Sequence, residues 1–246
     1  MNPLNRYTTE GYVYLPQFFQ PNELQLIEPI LYKFHQQWLI DHQEDYQTRL
    51  INSHSLTSST SLTKEERLLL FQFIAGDHFQ PLLSALFPDQ VLFLNTQLFF
   101  DPFNKEQKNY WHRDIQYTGM SIEDQQKSIL TQNVLHFRIP FQEEEGIELI
   151  PGTHRSWDLA EEQDTRLGQH GKQPSDALAR GKQIRLQRGD LLIFSANMIH
   201  RGLYGNNRFS FDLIFLDDTP QLRPFIDPNN HPTVAEKQQL NSSLFL

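Results

Sequence analysis

From Val91 onward the chain breaks into short runs rich in β-branched residues, leucine and phenylalanine, and this texture limits the fold more than any other feature. The runs are "VLFLNTQLFFD" (91–101), "NVLHFRIPF" (133–141), "IELIP" (147–151), "KQIRLQ" (182–187), "DLLIFSA" (190–196) and "RFSFDLIFLD" (208–217). Turn residues bound them at Pro151-Gly152, Gly189-Asp190 and Asn206-Asn207. The part before Pro88 reads helical instead. Pro21 suits a first helical position, and Leu24, Ile27, Leu31, Phe34 and Trp38 recur at helical spacing. Thr63 and Glu66 make a capping-box pattern ahead of "RLLLFQFIAG", with Gly76 as a stop and a further short helix near 80–87. Helices first and strands afterwards predict a mainly β protein with N-terminal helices, the helices packed against an antiparallel double-sheet jelly roll.

A length of 246 residues suits one such domain over 1–246. Its parts are a helical section of about 1–88, a jelly-roll core of about 89–218 and a tail, 219–246, expected to wrap the surface. "HSLTSSTSLT" (54–63) reads as a loop, and two polar inserts, roughly 118–131 and 152–181, interrupt the strands. Long inserts of this kind are usually lids or mobile segments. "EEEG" (143–146) reads as a solvated turn.

A net charge of −9 argues against nucleic acid or an anionic membrane as the main partner. The absence of cysteine excludes disulfides, thiolate metal sites and cysteine nucleophiles. Neither a secretory signal nor an apolar run long enough to span a bilayer is visible, so a cytoplasmic location is expected.

The chemistry concentrates in two places. In "NYWHRDIQYTG" (109–119), a strand reading turns His112 and Asp114 to one face and Arg113 to the other. An imidazole and a carboxylate are good ligands for a divalent first-row metal; they could equally be a hydrogen-bonded pair within a strand. In "RGDLLIFSANMIHRGLYGNNRFSFDLIF" (188–215), His200 precedes a strand that carries Arg208 and Ser210. If His200 lies opposite His112 and Asp114, the three make a 2-His-1-carboxylate facial triad with coordination positions left open. Arg208 on an inward-facing strand needs an anion, and its planar fork suits a carboxylate; Ser210, two residues on, could donate to the same group. The alternative for Arg208 is an exposed strand end.

In order along the chain, "EGYVYLPQFFQPNEL" (10–24), "WHRD", "GIELIPGTHRSW" (146–157) and "RGDLLIFSANMIHRGLYGNNR" resemble the phytanoyl-CoA dioxygenase-like family of iron(II)- and 2-oxoglutarate-dependent oxygenases. Thr153 stands where the family has serine in its Pro-Gly-Ser-His turn, and Arg208 follows His200 by a close eight positions, a spacing that Gly202 and Gly205 could absorb. The resemblance implies Fe(II) held by His112, Asp114 and His200. It implies 2-oxoglutarate as cosubstrate, bound at its distal carboxylate by Arg208 with Ser210 as a helper, and dioxygen as oxidant; Gln97, on the strand before His112, is a further cosubstrate candidate or else a solvent-facing polar residue. The implied reaction hydroxylates an unactivated carbon of a small molecule, with release of succinate and carbon dioxide. Retention of Asp114 favours oxidation over halogenation, for which related enzymes open that position.

Trp111, His136, Arg138, His154 and Arg155 flank the expected metal mouth and are candidate substrate contacts, the two arginines for a carboxylate, phosphate or phosphonate. Two other classes stay open at this point: a zinc hydrolase built on the same ligands, and a non-catalytic cupin-like binding protein. The sequence leaves the oligomeric state open.

Overall fold

The computed structural model describes residues 3–58 and 62–246. It opens with α1 (Pro3–Glu10), β1 (Tyr12–Leu15), α2 (Pro21–Asp41), α3 (Gln43–Thr48) and β2 (Asn52–His54). Helices α4 (Lys64–Ile74) and α5 (Gln80–Leu86) follow, then β3 (Val91–Phe100), α6 (Ile122–Thr131), β4 (Val134–Pro140) and β5 (Glu144–Leu149). Helix α7 (Ala160–Leu167) leads to β6 (Lys182–Leu186), β7 (Leu191–Ser195), β8 (His200–Gly202) and β9 (Phe209–Asp217), and α8 (Val234–Lys237) lies in the tail. Six strands form a major antiparallel sheet in the order β1-β7-β4-β9-β3-β2, and three form a minor one, β6-β5-β8. This is the expected double-sheet jelly roll with helices against it; the sheets stay open at their edges. Among the described residues no helix is long and apolar enough to cross a membrane.

Period-two alternation assigns the two faces of the major sheet. Phe209, Phe211, Leu213 and Phe215 of β9, with Leu135, Phe137 and Ile139 of β4, join Leu24, Ile27, Leu31 and Phe34 of α2 in the largest core cluster. Truncating one of these buried rings to alanine costs about 3–5 kcal/mol. The alternate residues, Ser210, Asp212 and Ile214 of β9 with Arg208 just before it, and Val134, His136 and Arg138 of β4, therefore face the other way. That second face carries the chemistry. At the N-terminus of α4 the capping box forms as the sequence predicts: the Glu66 N–H donates to the Thr63 hydroxyl at 3.2 Å and the Thr63 N–H to the Glu66 carboxylate at 2.8 Å.

Several local expectations are corrected. His112 makes only a single bridge, to His200, and Asp114 begins a 3-10 turn over Asp114–Thr118, so the pair does not lie on a regular strand. The stretch 54–63 includes the end of β2 and a 3-10 turn at Leu56–Ser58, while 59–61 fall outside the described residues. Both polar inserts contain helices. They bury polar positions, Gln125 and Ser128 in α6 and Glu162, Thr165 and Arg166 in α7, so apolar periodicity is missing. A cap signal was legible at α6, where Ser121 accepts from the Asp124 N–H. "EEEG" is no solvated turn: Glu144 begins β5 and is 2% exposed. The tail does more than wrap the surface, because Leu244 and Phe245 enter the main core and the Phe93 N–H donates to the Leu244 carbonyl.

Three histidines away from the site are kept neutral by the fold. His35 packs on Phe100 and Phe209, His231 beside Phe93 and Phe245, and His154 beside Tyr7. Burial, the main cause in each, pushes their pKa from 6.5 down to about 4. Unfolding therefore takes up protons between pH 6.5 and 4, so stability is full above that window and falls as pH drops through it. Denaturant titrations at pH 7 and pH 5 should show a lower midpoint at pH 5. His35→Phe should remove its share of that dependence.

Candidate metal centre

The minor sheet positions the candidate ligands. On β8, His200 pairs with Leu149 of β5, and on its other side His112 and His200 exchange two backbone hydrogen bonds of 2.9 Å. The Asp114 N–H then donates to the Ala196 carbonyl at 3.0 Å as the chain turns into its 3-10 segment. In consequence His112 Nε2 and His200 Nε2 each lie 3.5 Å from Asp114 Oδ1, and one donor atom from each of the three residues falls within 4.8 Å of the others. His112 Nδ1 faces the Tyr110 carbonyl at 3.1 Å and His200 Nδ1 faces that of Met198 at 3.0 Å. A carbonyl only accepts, so each Nδ1 carries the proton and each Nε2 presents its lone pair to the centre. Burial lowers both pKa values, that of His200 to about 3, so both rings are neutral at pH 7 and ready to ligate.

Asp114 Oδ2 is occupied differently. His136 donates to it at 2.8 Å through Nε2 and to Asp212 Oδ2 at 2.9 Å through Nδ1. Arg138 closes the chain with two bonds to Asp212, of 2.8 and 2.9 Å. Burial disfavours a charged His136, but the hydrogen bonds to two carboxylates outweigh it and raise its pKa to about 9. Burial likewise opposes ionisation of Asp114, and with His112 and His200 neutral it is the His136 imidazolium that keeps the carboxylate ionised, its pKa well below the usual range. The buried order is thus cation, anion, cation, ligand. His136→Gln should weaken divalent metal binding by about 10–100-fold while the three ligands remain, as loss of a residue that orients a ligand does. Competition with a chromophoric chelator checks this.

Arg208 lies on the same face. The turn before it is tight: Gly205, Asn206 and Asn207 all have positive φ, and the Gly205 and Arg208 N–H groups both donate to Asp101. That turn accommodates the eight-residue spacing from His200. Gly202 leaves room for the Arg208 side chain: a Cβ there would lie 2.7 Å from its Nη1, so a larger residue would push the guanidinium aside. The guanidinium is 2% exposed as a residue, and none of its three nitrogens has a hydrogen-bond partner. The closest carboxylate oxygen, Glu144 Oε2, is 3.9 Å from Nε and already accepts from Ser210 at 2.7 Å. A buried cation with five unused N–H donors is costly unless an anion meets it.

A cavity of about 510 Å³ joins these groups. His112, Asp114, His136, Arg138, His200, Arg208 and Gln97 line it, Gln97 from β3 opposite Asp212. Ser210 reaches Glu144 instead of the cavity. Three of the other sequence candidates also lie elsewhere. Trp111 is fully buried, donates to the Asp176 carbonyl at 2.8 Å and lies under Arg201. His154 packs against Tyr7 and Gly11, and Arg155 is exposed. The 152–181 insert thus buttresses the back of the site, and among the described residues none of it lines the cavity. Arg113, facing away from the ligands, fastens the two together. It bonds to Asp158 and to the carbonyls of Thr153, Ser156 and Asn197. The sequence reading placed Arg113 on the far face without giving it this role, and Glu144 was missed because "EEEG" has a turn's composition.

A two-sheet antiparallel fold with two neutral imidazoles and a carboxylate converging in its cleft is cupin-like and carries a candidate metal centre. The model of the phytanoyl-CoA dioxygenase (PhyH) family matches residues 7–208, and the chain belongs to that family, whose members are Fe(II)/2-oxoglutarate-dependent enzymes of the oxygenase type. Comparison with curated protein sequences finds no match. Among solved structures, the chain resembles HygX from Streptomyces hygroscopicus with nickel and 2-oxoglutarate bound, at TM-score 0.60 and 11% identity over 88% of this chain and 86% of that one. EctD from S. alaskensis with bound Fe matches at TM-score 0.57 and 15% identity, covering 87% and 75%. The alpha-ketoglutarate-dependent epimerase SnoN from nogalamycin biosynthesis matches at 0.57 and 14%, covering 88% and 80%. At these identities the likeness concerns the fold.

Proposed function

We propose that the chain, acting as one catalytic unit, is an iron(II)- and 2-oxoglutarate-dependent hydroxylase of a small-molecule substrate. The observation that carries this reading is the unpartnered guanidinium of Arg208 in the same cavity as the His112–Asp114–His200 cluster. These residues fit both groups: neutral nitrogen and anionic oxygen donors suit Fe(II), and a planar cation with free donors suits the far carboxylate of 2-oxoglutarate. When bound, iron with 2-oxoglutarate and dioxygen supplies an oxidant able to take hydrogen from an unactivated carbon, with release of succinate and carbon dioxide.

The protein's own contribution is positional. His112, Asp114 and His200 would hold the metal on one side and leave the cavity side open. The relay from Arg138 through Asp212 to His136 keeps Asp114 ionised and its Oδ1 turned to the centre. Arg208, with Gln97 nearby, would anchor the cosubstrate, and Ser210 acts through Glu144, which stands behind the guanidinium.

The test is an anaerobic titration of the Fe(II)-loaded protein with 2-oxoglutarate, followed by the weak visible charge-transfer band of the chelate. A saturable band, followed by succinate release in air with a substrate, is expected. Absence of the band with metal demonstrably bound overturns the reading and favours a zinc hydrolase. Absence of stoichiometric metal favours a non-catalytic binding protein.

A further inference from the structure

The half of the cavity away from Arg208 is a different chemical environment, and strand register builds it. Across the β4–β9 pair, Arg138 stands opposite Asp212, His136 opposite Ile214 and Val134 opposite Leu216. Charge is gathered at one end of this ladder; four residues further along β9, roughly 13 Å at strand rise, the wall is aliphatic. Leu94 from β3 extends that wall, and Leu222 and Phe225 close over it after β9. Leu216 and Leu222 also pack with Leu92 and Ile226 in a small cluster of their own, so this end has a solid apolar backing.

Among the described lining residues, the charged groups are Asp114, His136, Arg138 and Arg208. Asp114 belongs to the candidate metal cluster, His136 spends both ring nitrogens on Asp114 and Asp212, Arg138 is paired twice with Asp212, and Arg208 is the proposed cosubstrate anchor. Both guanidinium groups lie over the same ring, Phe99, at 4.4 and 5.1 Å, which places the unpaired Nη1 of Arg138 at the Arg208 end too. At the opening, Tyr117, Phe225 and Tyr110 are 61%, 44% and 39% exposed, an aromatic rim held in water beside an apolar interior. Gln132 supplies a neutral polar side chain at this end.

We infer that the substrate is an uncharged, predominantly apolar small molecule with a ring or hydrocarbon body, seated on the Val134–Ile214–Leu216 wall across the metal cluster from Arg208. This rests on the oxygenase reading above. A carboxylate, phosphate or zwitterion would shed its hydration there with no unpaired counter-charge to replace it, since His136 is already bonded to two carboxylates. The expectation that Arg138 and Arg155 receive an anionic substrate is accordingly not carried into this inference: the free Nη1 of Arg138 lies at the Arg208 end, away from the apolar wall, and Arg155 does not line the cavity.

The experiment compares 2-naphthol, 2-naphthoate and 2-naphthyl phosphate by equilibrium dialysis at pH 7. The protein is loaded with Zn(II) in place of iron and saturated with 2-oxoglutarate, whose retention is measured in the same samples. Naphthol should bind about tenfold or more tightly than either anion, since only the anions are desolvated at a charge. Phe225→Arg, at a half-exposed position where a folded variant is expected, should weaken naphthol and narrow the difference. An anion binding as well as naphthol, no binding of naphthol, or naphthol binding indifferent to Phe225→Arg overturns the inference. If 2-oxoglutarate is not retained, the oxygenase reading fails by itself. The same comparison in Arg208→Met then still decides the character of the apolar end.

Discussion

Arg208→Ala is expected to weaken 2-oxoglutarate binding by roughly 100-fold, about 3 kcal/mol, while metal binding is unchanged. The size follows from where the guanidinium sits. It is buried with no hydrogen-bond partner for its nitrogens and only Glu144 nearby at 3.9 Å, so a dicarboxylate arriving there gains a fork-to-fork contact with donors that are otherwise unused. The alanine variant would offer an apolar gap to a carboxylate that has left water. Arg208→Lys should recover only part of the loss, because a point charge cannot make two parallel bonds. The charge-transfer titration reads the cosubstrate constant and a chelator competition reads the metal. A change in cosubstrate affinity of less than about threefold would mean that the carboxylate sits elsewhere.

Asp114→Ala should lower iron affinity by more than about 100-fold, beyond the ~10–100-fold that follows loss of a residue merely orienting a ligand. It removes the only anionic donor of the cluster and leaves two neutral imidazoles. Turnover should fall to background with the metal. His136→Gln separates the roles, since it removes the hydrogen bond to Asp114 Oδ2 and spares all three ligands. If the two variants lose metal equally, Asp114 serves the His136 pair and is not a ligand. Iron content per chain after desalting, with circular dichroism to confirm folding, gives the answer.

Much of this arrangement was legible in the amino-acid order. Alternation in "RFSFDLIFLD" separates four core-facing apolar residues from Arg208, Ser210, Asp212 and Ile214, because successive strand residues point to opposite faces whatever the rest of the fold does. The capping box at Thr63 and the apolar stripe of α2 are equally local, set by hydrogen-bond reach and a 3.6-residue period. His112, Asp114 and His200 were candidates by donor type, and the family resemblance implied them as a set, although the strand invoked for the first pair proved to be one bridge followed by a 3-10 turn.

Partnerships between distant residues were not legible. Nothing in "EEEG" marks Glu144 as a buried acid behind Arg208, and nothing near Ser210 says that its hydroxyl goes to that acid. His136 and Arg138 read as pocket contacts, whereas the register of β4 on β9 turns them into a relay through Asp212 to Asp114. By itself the sequence determined strand faces, helix starts and the donor types of the cluster, all consequences of interactions within a few residues. Only the tertiary structure decided which charges neutralise one another, which guanidinium is left without a hydrogen-bond partner and which end of the cavity is apolar. Those outcomes depend on registers between strands tens of residues apart, and a shift of one residue would turn each of these side chains to the opposite face.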